Sequence, residues 1–223
     1  MRGSREKPIA EEGAEVSYRS LAFPGVLARM RSVPKPVVLD LGPALGSNLH
    51  ALEHLGPRIY IADILSMADE ELPLERAHAK STGKQFWRWL FRNRPHERLD
   101  VILAWDLLNY LTLDEIRILI EDLQPHVVPG TLLFAVIAQG KEIPRTPPPY
   151  AIRSGSILVP QGQSPGQAPA PRYREPELRR ALPGFVVDAS YLLRSGLQEY
   201  LFAYRPEEEA PASEALEPAS AGD

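Results

Sequence analysis

Short apolar runs, each bounded by proline, glycine or charged residues, recur along the chain. Residues 37–42, 58–63, 99–105 and 131–138 form four such runs. Runs of this length without polar alternation are typical of strands that are buried on both faces of a parallel sheet. The pattern therefore predicts four buried strands, with Pro129 and Gly130 forming the turn before the last of them.

Helical spacing follows the first of these runs. Four leucines recur at this spacing and a glycine C-cap ends the segment: Leu45, Leu49, Leu52, Leu55 and Gly56. The strand, helix and strand of residues 37–63 together predict a βαβ unit with a right-handed crossover.

A second helix is predicted after the third run. Thr112 and Glu115 form a capping box, because each side chain can bond the other residue's backbone N–H. The apolar residues of this helix fall on one side, which we expect to face the core: Leu113, Ile116, Ile120 and Leu123. Shorter helices are predicted over residues 18–30 and from Pro176.

The segment between residues 64 and 98 supports two interpretations. Residues 85–94 place aromatic and basic residues on separate faces, which favours an amphipathic helix. A strand remains open, because Trp87, Trp89 and Phe91 also alternate. The basic residues beside these rings could bind RNA, but a solvated helix face is the favoured interpretation, and nucleic acid is not expected as a partner.

Proline and acidic residues divide the rest of the chain. Residues 1–16 predict a flexible arm, residues 17–205 a single domain, and residues 206–223 a disordered acidic tail. Within the domain, residues 139–174 are rich in proline and predict an insertion or lid. Residues 185–204 predict an antiparallel hairpin.

Composition narrows the possible functions. The net charge of −4 does not suit a protein that coats nucleic acid, and the absence of cysteine excludes disulfides and thiolate chemistry. The five histidines form no metal pattern, although His50 and His54 share one helix face. There is no signal-type segment and no apolar run of about 20 residues, so a cytoplasmic protein without a membrane span is expected.

The turn after the first strand carries the clearest chemical pattern. Small residues at positions 42, 44 and 46 allow a ligand to approach the backbone, and the N–H groups of the following helix face that ligand. Asp63 ends the second run about 20 residues later, where βαβ cofactor folds place the acid that binds ribose hydroxyls. The sequence therefore predicts a site for a nucleoside-bearing cofactor.

This turn resembles the first motif of the class I S-adenosylmethionine-dependent methyltransferases, in which an acid precedes three alternating glycines. Asp40, Gly42, Ala44 and Gly46 occupy those positions. The spacing differs from the dinucleotide fingerprint, which would put its third small residue at Ser47, so a nicotinamide oxidoreductase is disfavoured. Similarity continues through residues 99–111 (fourth strand), 129–133 (turn into strand five) and 183–202 (closing hairpin), so that the resemblance spans residues 36–205.

The resemblance implies a Rossmann-like α/β fold, with a mostly parallel sheet and a C-terminal antiparallel hairpin, and S-adenosyl-L-methionine as cofactor. It implies that Asp40 orients the turn and the methionyl amine, and that Asp63 binds the ribose. It implies cofactor contacts for the following residues: Asp40, Gly42, Ala44, Gly46, Asp63, Ala104 and Trp105.

The acceptor side is less defined. Asp106 and Asn109 are candidates to face the substrate, with capping of the following helix as the alternative role. Three residues that flank the Pro-rich segment are candidates to cover the substrate: Tyr150, Arg153 and Tyr173. The acceptor is unidentified, and a small molecule is favoured.

Departures from the family pattern keep a second hypothesis open. Ala44 replaces the middle glycine, Pro43 removes one backbone N–H, and no adenine-side acid is identifiable between residues 64 and 98. The family's Asn-Pro-Pro-Tyr mark of amino-group methylation on bases or glutamine is also absent after the fourth strand. A non-catalytic binding or scaffold protein with a weakened cofactor site is therefore the alternative to a methyltransferase.

Overall fold

The computed structural model describes residues 17–64, 96–162 and 166–206. The predicted arm, the helix predicted over residues 85–94 and the tail from residue 207 onward lie outside the described residues, so the division into arm, domain and tail stays a prediction. No helix in the described ranges has the length and apolar character needed to cross a membrane.

The described strands are numbered here in chain order. They are β1 (Tyr18–Arg19), β2 (Val37–Asp40), β3 (Arg58–Ile61), β4 (Leu99–Trp105), β5 (Val127–Ala138), β6 (Glu142–Pro144), β7 (Tyr150–Ser154), β8 (Ile157–Pro160), β9 (Gln167–Pro169), β10 (Phe185–Leu192) and β11 (Leu197–Tyr204).

The helices lie close to their predicted positions. They are α1 (Phe23–Ser32), α2 (Gly46–Leu52), α3 (Leu113–Leu123) and α4 (Glu175–Ala181), with 3-10 turns at Glu53–Leu55, Leu107–Tyr110 and Gln124–His126. The capping box of Thr112 and Glu115 is present, and Gly56 adopts the left-handed conformation expected of a C-cap.

Six of the described strands form the central sheet in the order β10-β11-β5-β4-β2-β3. Strands β3, β2, β4 and β5 run parallel, whereas β11 and β10 form an antiparallel hairpin at one edge. The predicted Rossmann-like fold, mostly parallel with a C-terminal hairpin, is therefore confirmed.

Hydrophobic residues cover both faces of this sheet. Adjacent residues of a strand point to opposite faces, and Val38 and Leu39 accordingly belong to different core clusters. α1 packs on the face that carries Val38, and α3 packs on the face that carries Leu39, through residues such as Ile116 and Ile120. The α1 residues in this contact are Phe23, Val26, Leu27 and Met30. Burial on both faces explains why β2, β4 and β5 read as apolar runs. The prediction of a buried strand is wrong for β3, which lies at the edge of the described sheet and is only partly buried.

Strand β5 begins earlier than predicted. The sequence placed a turn at Pro129 and Gly130, but the strand runs through them from Val127 with an irregular register against β4. The Thr131 hydroxyl maintains this irregularity, because it accepts from Val128 N at 3.0 Å and donates to Leu99 O at 2.6 Å. A side chain thus replaces ladder hydrogen bonds that the bulge interrupts.

The Pro-rich segment contains four of the short strands. β6 pairs with β9, and β7 pairs with β8, which also pairs with β1 from the start of the described chain. Asn48 of α2 fastens β7 to the main fold: its amide donates to Tyr150 O and accepts from Ile152 N, each at 2.8 Å. This tether places the Pro-rich segment beside the turn that follows β2.

Candidate functional site

A cleft opens beyond the carboxyl ends of β2 and β4. From β2 the chain proceeds to β3 on one side, and it later returns to β4 on the opposite side of β2. Open α/β sheets bind ligands at such a reversal of strand order. The empty volume of the cleft, about 320 Å³, includes open solvent. The lining residues are Leu41, Gly42, Pro43, Asp63, Ala104, Trp105, Asp106, Leu107, Pro147, Pro148, Pro149 and Tyr150.

Asp40 organises the turn on the β2 side of the cleft. One of its carboxylate oxygens, Oδ1, accepts from Gly42 N at 3.0 Å and from Trp105 Nε1 at 2.7 Å. Burial raises the pKa of Asp40 to about 6, although both hydrogen bonds act to lower it. Asp40 therefore holds the turn and the indole from behind, and it is not among the described residues that line the cleft.

Trp105 forms the floor of the cleft at the end of β4. Its φ of 48° is in the left-handed region, which is unusual for a residue other than glycine. Its ring stacks on Tyr150 with 5.9 Å between centroids and 2° between planes, and it also contacts Phe23 and Phe134. Strained backbone conformations of this kind persist when the surrounding structure fixes them, and they concentrate at functional sites.

Gly42 is required by this indole. A Cβ at position 42 would lie 2.9 Å from Trp105 Cδ1 and 3.2 Å from Trp105 Nε1. At Gly46 a Cβ would meet nothing within 4 Å, and both Ala44 and Gly46 are exposed outside the cleft lining. The structure thus brings Gly42 together with Asp63, Ala104 and Trp105, but leaves Ala44 and Gly46 at the rim of the turn.

Asp106 follows Trp105 and also lines the cleft. Only 8% of the residue is exposed, and its side chain makes no capping bond to the 3-10 turn that follows. Burial raises the pKa of Asp106 to about 7, and a hydrogen bond from its own backbone acts in the opposite direction. The predicted alternative role of helix capping is therefore not fulfilled by its carboxylate.

Similar structures have been solved for methyltransferases. A glycopeptide N-methyltransferase with bound S-adenosyl-L-methionine is 16% identical, with a TM-score of 0.42, over 89% of this chain and 100% of the other. A magnesium protoporphyrin IX methyltransferase from Synechocystis PCC 6803 is 16% identical, with a TM-score of 0.46, over 82% and 78%. A Methanosarcina mazei methyltransferase is 15% identical, with a TM-score of 0.45, over 82% and 98%.

No protein-family model matches the sequence, and no curated protein matches it. Because the TM-scores of the solved structures are below 0.5, the fold assignment depends on the strand order, the parallel core and the closing hairpin. These are the features that the sequence resemblance to class I methyltransferases implies.

Asn109 occupies a different place from the one that the sequence suggested. Its amide nitrogen donates to Asp106 O at 2.9 Å and to Val136 O at 2.8 Å, and its oxygen accepts from Ala138 N at 2.9 Å. The side chain thus joins the 3-10 turn to β5, and it is absent from the described cleft lining. The geometry favours a positioning role over contact with a substrate.

The three candidates for covering the substrate are separated. Tyr150 lines the cleft and is 5% exposed. Arg153 is exposed on the far part of β7, and the Tyr173 hydroxyl donates to Leu111 O at 2.8 Å. Neither Arg153 nor Tyr173 is among the described residues that line the cleft.

Several residues near the cleft were not predicted from the sequence as part of the site. Pro147, Pro148 and Pro149 form a wall beside Tyr150, and the run of three prolines next to a tyrosine was the available signal. Tyr18 and Tyr110 interact electrostatically with Asp106, and burial raises the pKa of both phenols. Within the described ranges, no group of three or more His, Asp or Glu side chains is arranged to hold a metal ion.

Proposed function

We propose that the protein is an S-adenosylmethionine-dependent methyltransferase whose acceptor is a small molecule. The observation that carries this proposal is the position of the cleft, where the strand order reverses between β2 and β4. Gly42, Asp63 and Ala104, which the sequence resemblance assigns to the cofactor, line that cleft together.

The residues present fit this cofactor. Asp63 supplies a carboxylate that would accept from the ribose hydroxyls, and Gly42 and Ala104 supply backbone with little side-chain bulk. Among the described residues that line the cleft, two are carboxylates and none is Lys, Arg or His. S-adenosylmethionine carries a positively charged sulfonium, which such a cleft attracts.

The bound cofactor would supply an electrophilic methyl group, which its sulfonium sulfur carries. Transfer of that group requires an aligned acceptor and exclusion of water. Trp105, Tyr150 and the proline wall of residues 147–149 provide rigid apolar surfaces for both purposes. In this proposal the Pro-rich segment covers the acceptor side of the cleft.

A second candidate function is a binding or scaffold protein that has the same fold. The observation that favours it is the Trp105 indole over Gly42, which occupies space beside the backbone where a cofactor would approach. The carboxylate of Asp40 also binds this indole. If the indole never moves aside, the cofactor site is narrowed and a protein partner becomes the alternative ligand.

Calorimetric titration with S-adenosylhomocysteine distinguishes the two candidates. We expect the wild type to bind at about micromolar Kd, or about −8 kcal/mol. Asp63→Ala should weaken binding at least about tenfold, the effect of about 1.4 kcal/mol from lost hydrogen bonds to a carboxylate. Asp114→Ala is the matched control, because Asp114 is an exposed carboxylate on α3, and this variant should bind like wild type.

Absence of binding heat at several temperatures, with the protein shown to be folded, would contradict the methyltransferase proposal. It would leave the scaffold function. Equal binding by wild type and Asp63→Ala would place the ligand elsewhere on the molecule.

A further inference from the structure

We propose that the Asp106 side of the cleft binds a protonated amine carried on an apolar or aromatic body. The role of this amine as a methyl acceptor rests on the proposed function, whereas the binding of the amine does not. Three features of the cleft support the inference: a buried carboxylate without a cationic partner, neutral phenols around it, and rigid apolar walls.

The carboxylate is the first feature. Asp106 lines the cleft, is more than nine-tenths buried, and has no ion pair or side-chain cap in the described part of the chain. A buried carboxylate without a cationic partner is destabilised relative to water, and a cationic ligand offsets that loss. The ordinary ion pairs of the described fold use other carboxylates, such as Asp100 with Arg29.

The groups around Asp106 do not compensate its charge. Tyr18 on β1, Tyr110 on the 3-10 turn and Tyr150 on β7 each interact electrostatically with Asp106. Burial raises the pKa of all three phenols, so they are neutral near pH 7. Asp63, the other carboxylate of the cleft lining, adds negative charge. The Asp106 side of the cleft therefore favours a cation over an anion.

The walls determine the body of the ligand. The rings of Trp105 and Tyr150 lie nearly parallel, and residues 147–149 add three prolines. Proline presents apolar surface without an N–H donor, and the two buried rings add apolar surface beside it. An ammonium on an apolar or aromatic body matches these surfaces.

Asp106 can also prepare this amine for reaction. A protonated amine has no free electron pair, so it must lose one proton before it can act as a nucleophile. In the proposed step an N–H bond breaks, an O–H bond forms on Asp106, and the electron pair remains on nitrogen. The proton is thereby stored on a group whose pKa, raised to about 7, lies close to neutral pH.

The test compares three probes with similar carbon skeletons on the full-length protein. The probes are 2-phenylethylamine, 2-phenylethanol and 3-phenylpropionate, titrated by NMR or calorimetry at pH 8. We expect the amine to bind at least about tenfold more tightly than the alcohol, and the carboxylate to bind least, since a buried charge pair contributes more than about 1.4 kcal/mol. Equal binding of amine and alcohol would overturn the inference.

Two variants assign the effect to one carboxylate. Asp106→Asn has the same shape without the charge and should remove the preference for the amine over the alcohol. Asp114→Asn makes the same change on the exposed face of α3 and should leave the preference intact. If Asp106→Asn retains the preference while folded, as judged by circular dichroism, Asp106 is not the amine site.

The pH dependence supplies a test on the wild type without substitution. The amine remains protonated up to about pH 9, as a Lys-like group. Its affinity should therefore fall about tenfold between pH 8 and pH 6 as Asp106 becomes protonated. Asp40 also titrates near the cleft, and Asp106→Asn separates the two carboxylates. If Asp106 is responsible, the fall in affinity should disappear in this variant. A fall of the same size in that variant would contradict the assignment.

Failure of this inference and failure of the methyltransferase proposal give different results. Binding of the amine without binding of S-adenosylhomocysteine would retain the amine site and reject the methyltransferase. Binding of S-adenosylhomocysteine with no preference for the amine would do the reverse.

Discussion

The contact between Gly42 and Trp105 determines the shape of the cleft floor. Gly42→Ala places a Cβ 2.9 Å from the indole, which is held by Asp40 and stacked on Tyr150, so the indole cannot move without loss. We expect a lower free energy of unfolding, by about 1–3 kcal/mol. Urea denaturation measures the change.

Gly46→Ala is the matched control for that substitution. Position 46 is at the start of α2, where a Cβ meets nothing within 4 Å and alanine favours the helix. The free energy of unfolding should be unchanged or slightly higher. If both variants were equally stable, the close contact over Gly42 would not exist in solution.

The indole N–H of Trp105 is a second residue-scale test. Trp105→Phe keeps an aromatic ring but removes the donor to Asp40, leaving Gly42 N as the donor to Oδ1. Because that hydrogen bond lowers the pKa of Asp40, the pKa should rise above its value of about 6. Carboxyl chemical shifts followed by NMR against pH measure it, and an unchanged or lower pKa would contradict the geometry.

At this scale the sequence predicted part of the site. The small residue at 42 and the acids at 40 and 63 follow from the local turn pattern. The reason for Gly42 does not, because the atom that excludes a side chain there belongs to Trp105, 63 residues further along the chain. Contacts between distant segments leave no mark in local spacing.

At the scale of elements, Asn48 joins α2 to the Pro-rich segment. Asn48→Ala would leave Tyr150 O and Ile152 N without their partner in a buried position. We expect a loss of about 2–3 kcal/mol in the free energy of unfolding. Amide exchange of residues 150–154 should also increase, because β7 loses its tether.

Ser47→Ala is the control for Asn48→Ala, since Ser47 is the exposed neighbour on α2. It should leave both stability and exchange unchanged. Unaltered exchange over residues 150–154 in Asn48→Ala would show that the pairing of β7 with β8 holds the segment without Asn48.

Strands and helices were the most predictable level of this structure. The four apolar runs, the capping box and the closing hairpin follow local patterns, and the structure contains all of them, although β3 is only partly buried. The leucine spacing of α2 was less informative: Leu49 is 42% exposed, and the polar Asn48 is buried instead. A tertiary hydrogen bond to β7 determines which face of this short helix points inward.

At the scale of the whole molecule, buried carboxylates link stability to pH. Burial raises the pKa of Asp40 to about 6 and of Asp106 to about 7, above their ordinary values near 4. Between about pH 4 and about pH 7 the folded protein therefore binds more protons than the unfolded chain. The contribution of the two carboxyl groups to stability falls as pH rises from about 4 to about 7. The summed effect is on the order of a few kcal/mol.

Urea denaturation of Asp106→Asn isolates this contribution. Burial lowers the pKa of His126, which acts in the opposite direction in part of the same range, so wild type alone is not sufficient. At pH 8 the variant should be more stable than wild type, because it buries no charge, and the difference should shrink toward pH 5. A variant that is less stable at pH 8 would contradict the burial of an unpaired carboxylate.

In the proposed function, the crevice between β2 and β4 holds the cofactor. A crystal structure of the protein with S-adenosylhomocysteine tests it most directly. We expect the ligand in this crevice, with its ribose hydroxyls donating to Asp63 and its chain beside Gly42 and Ala104. Ligand bound elsewhere, or a crevice that remains filled by the Trp105 indole at saturating ligand, would contradict the claim.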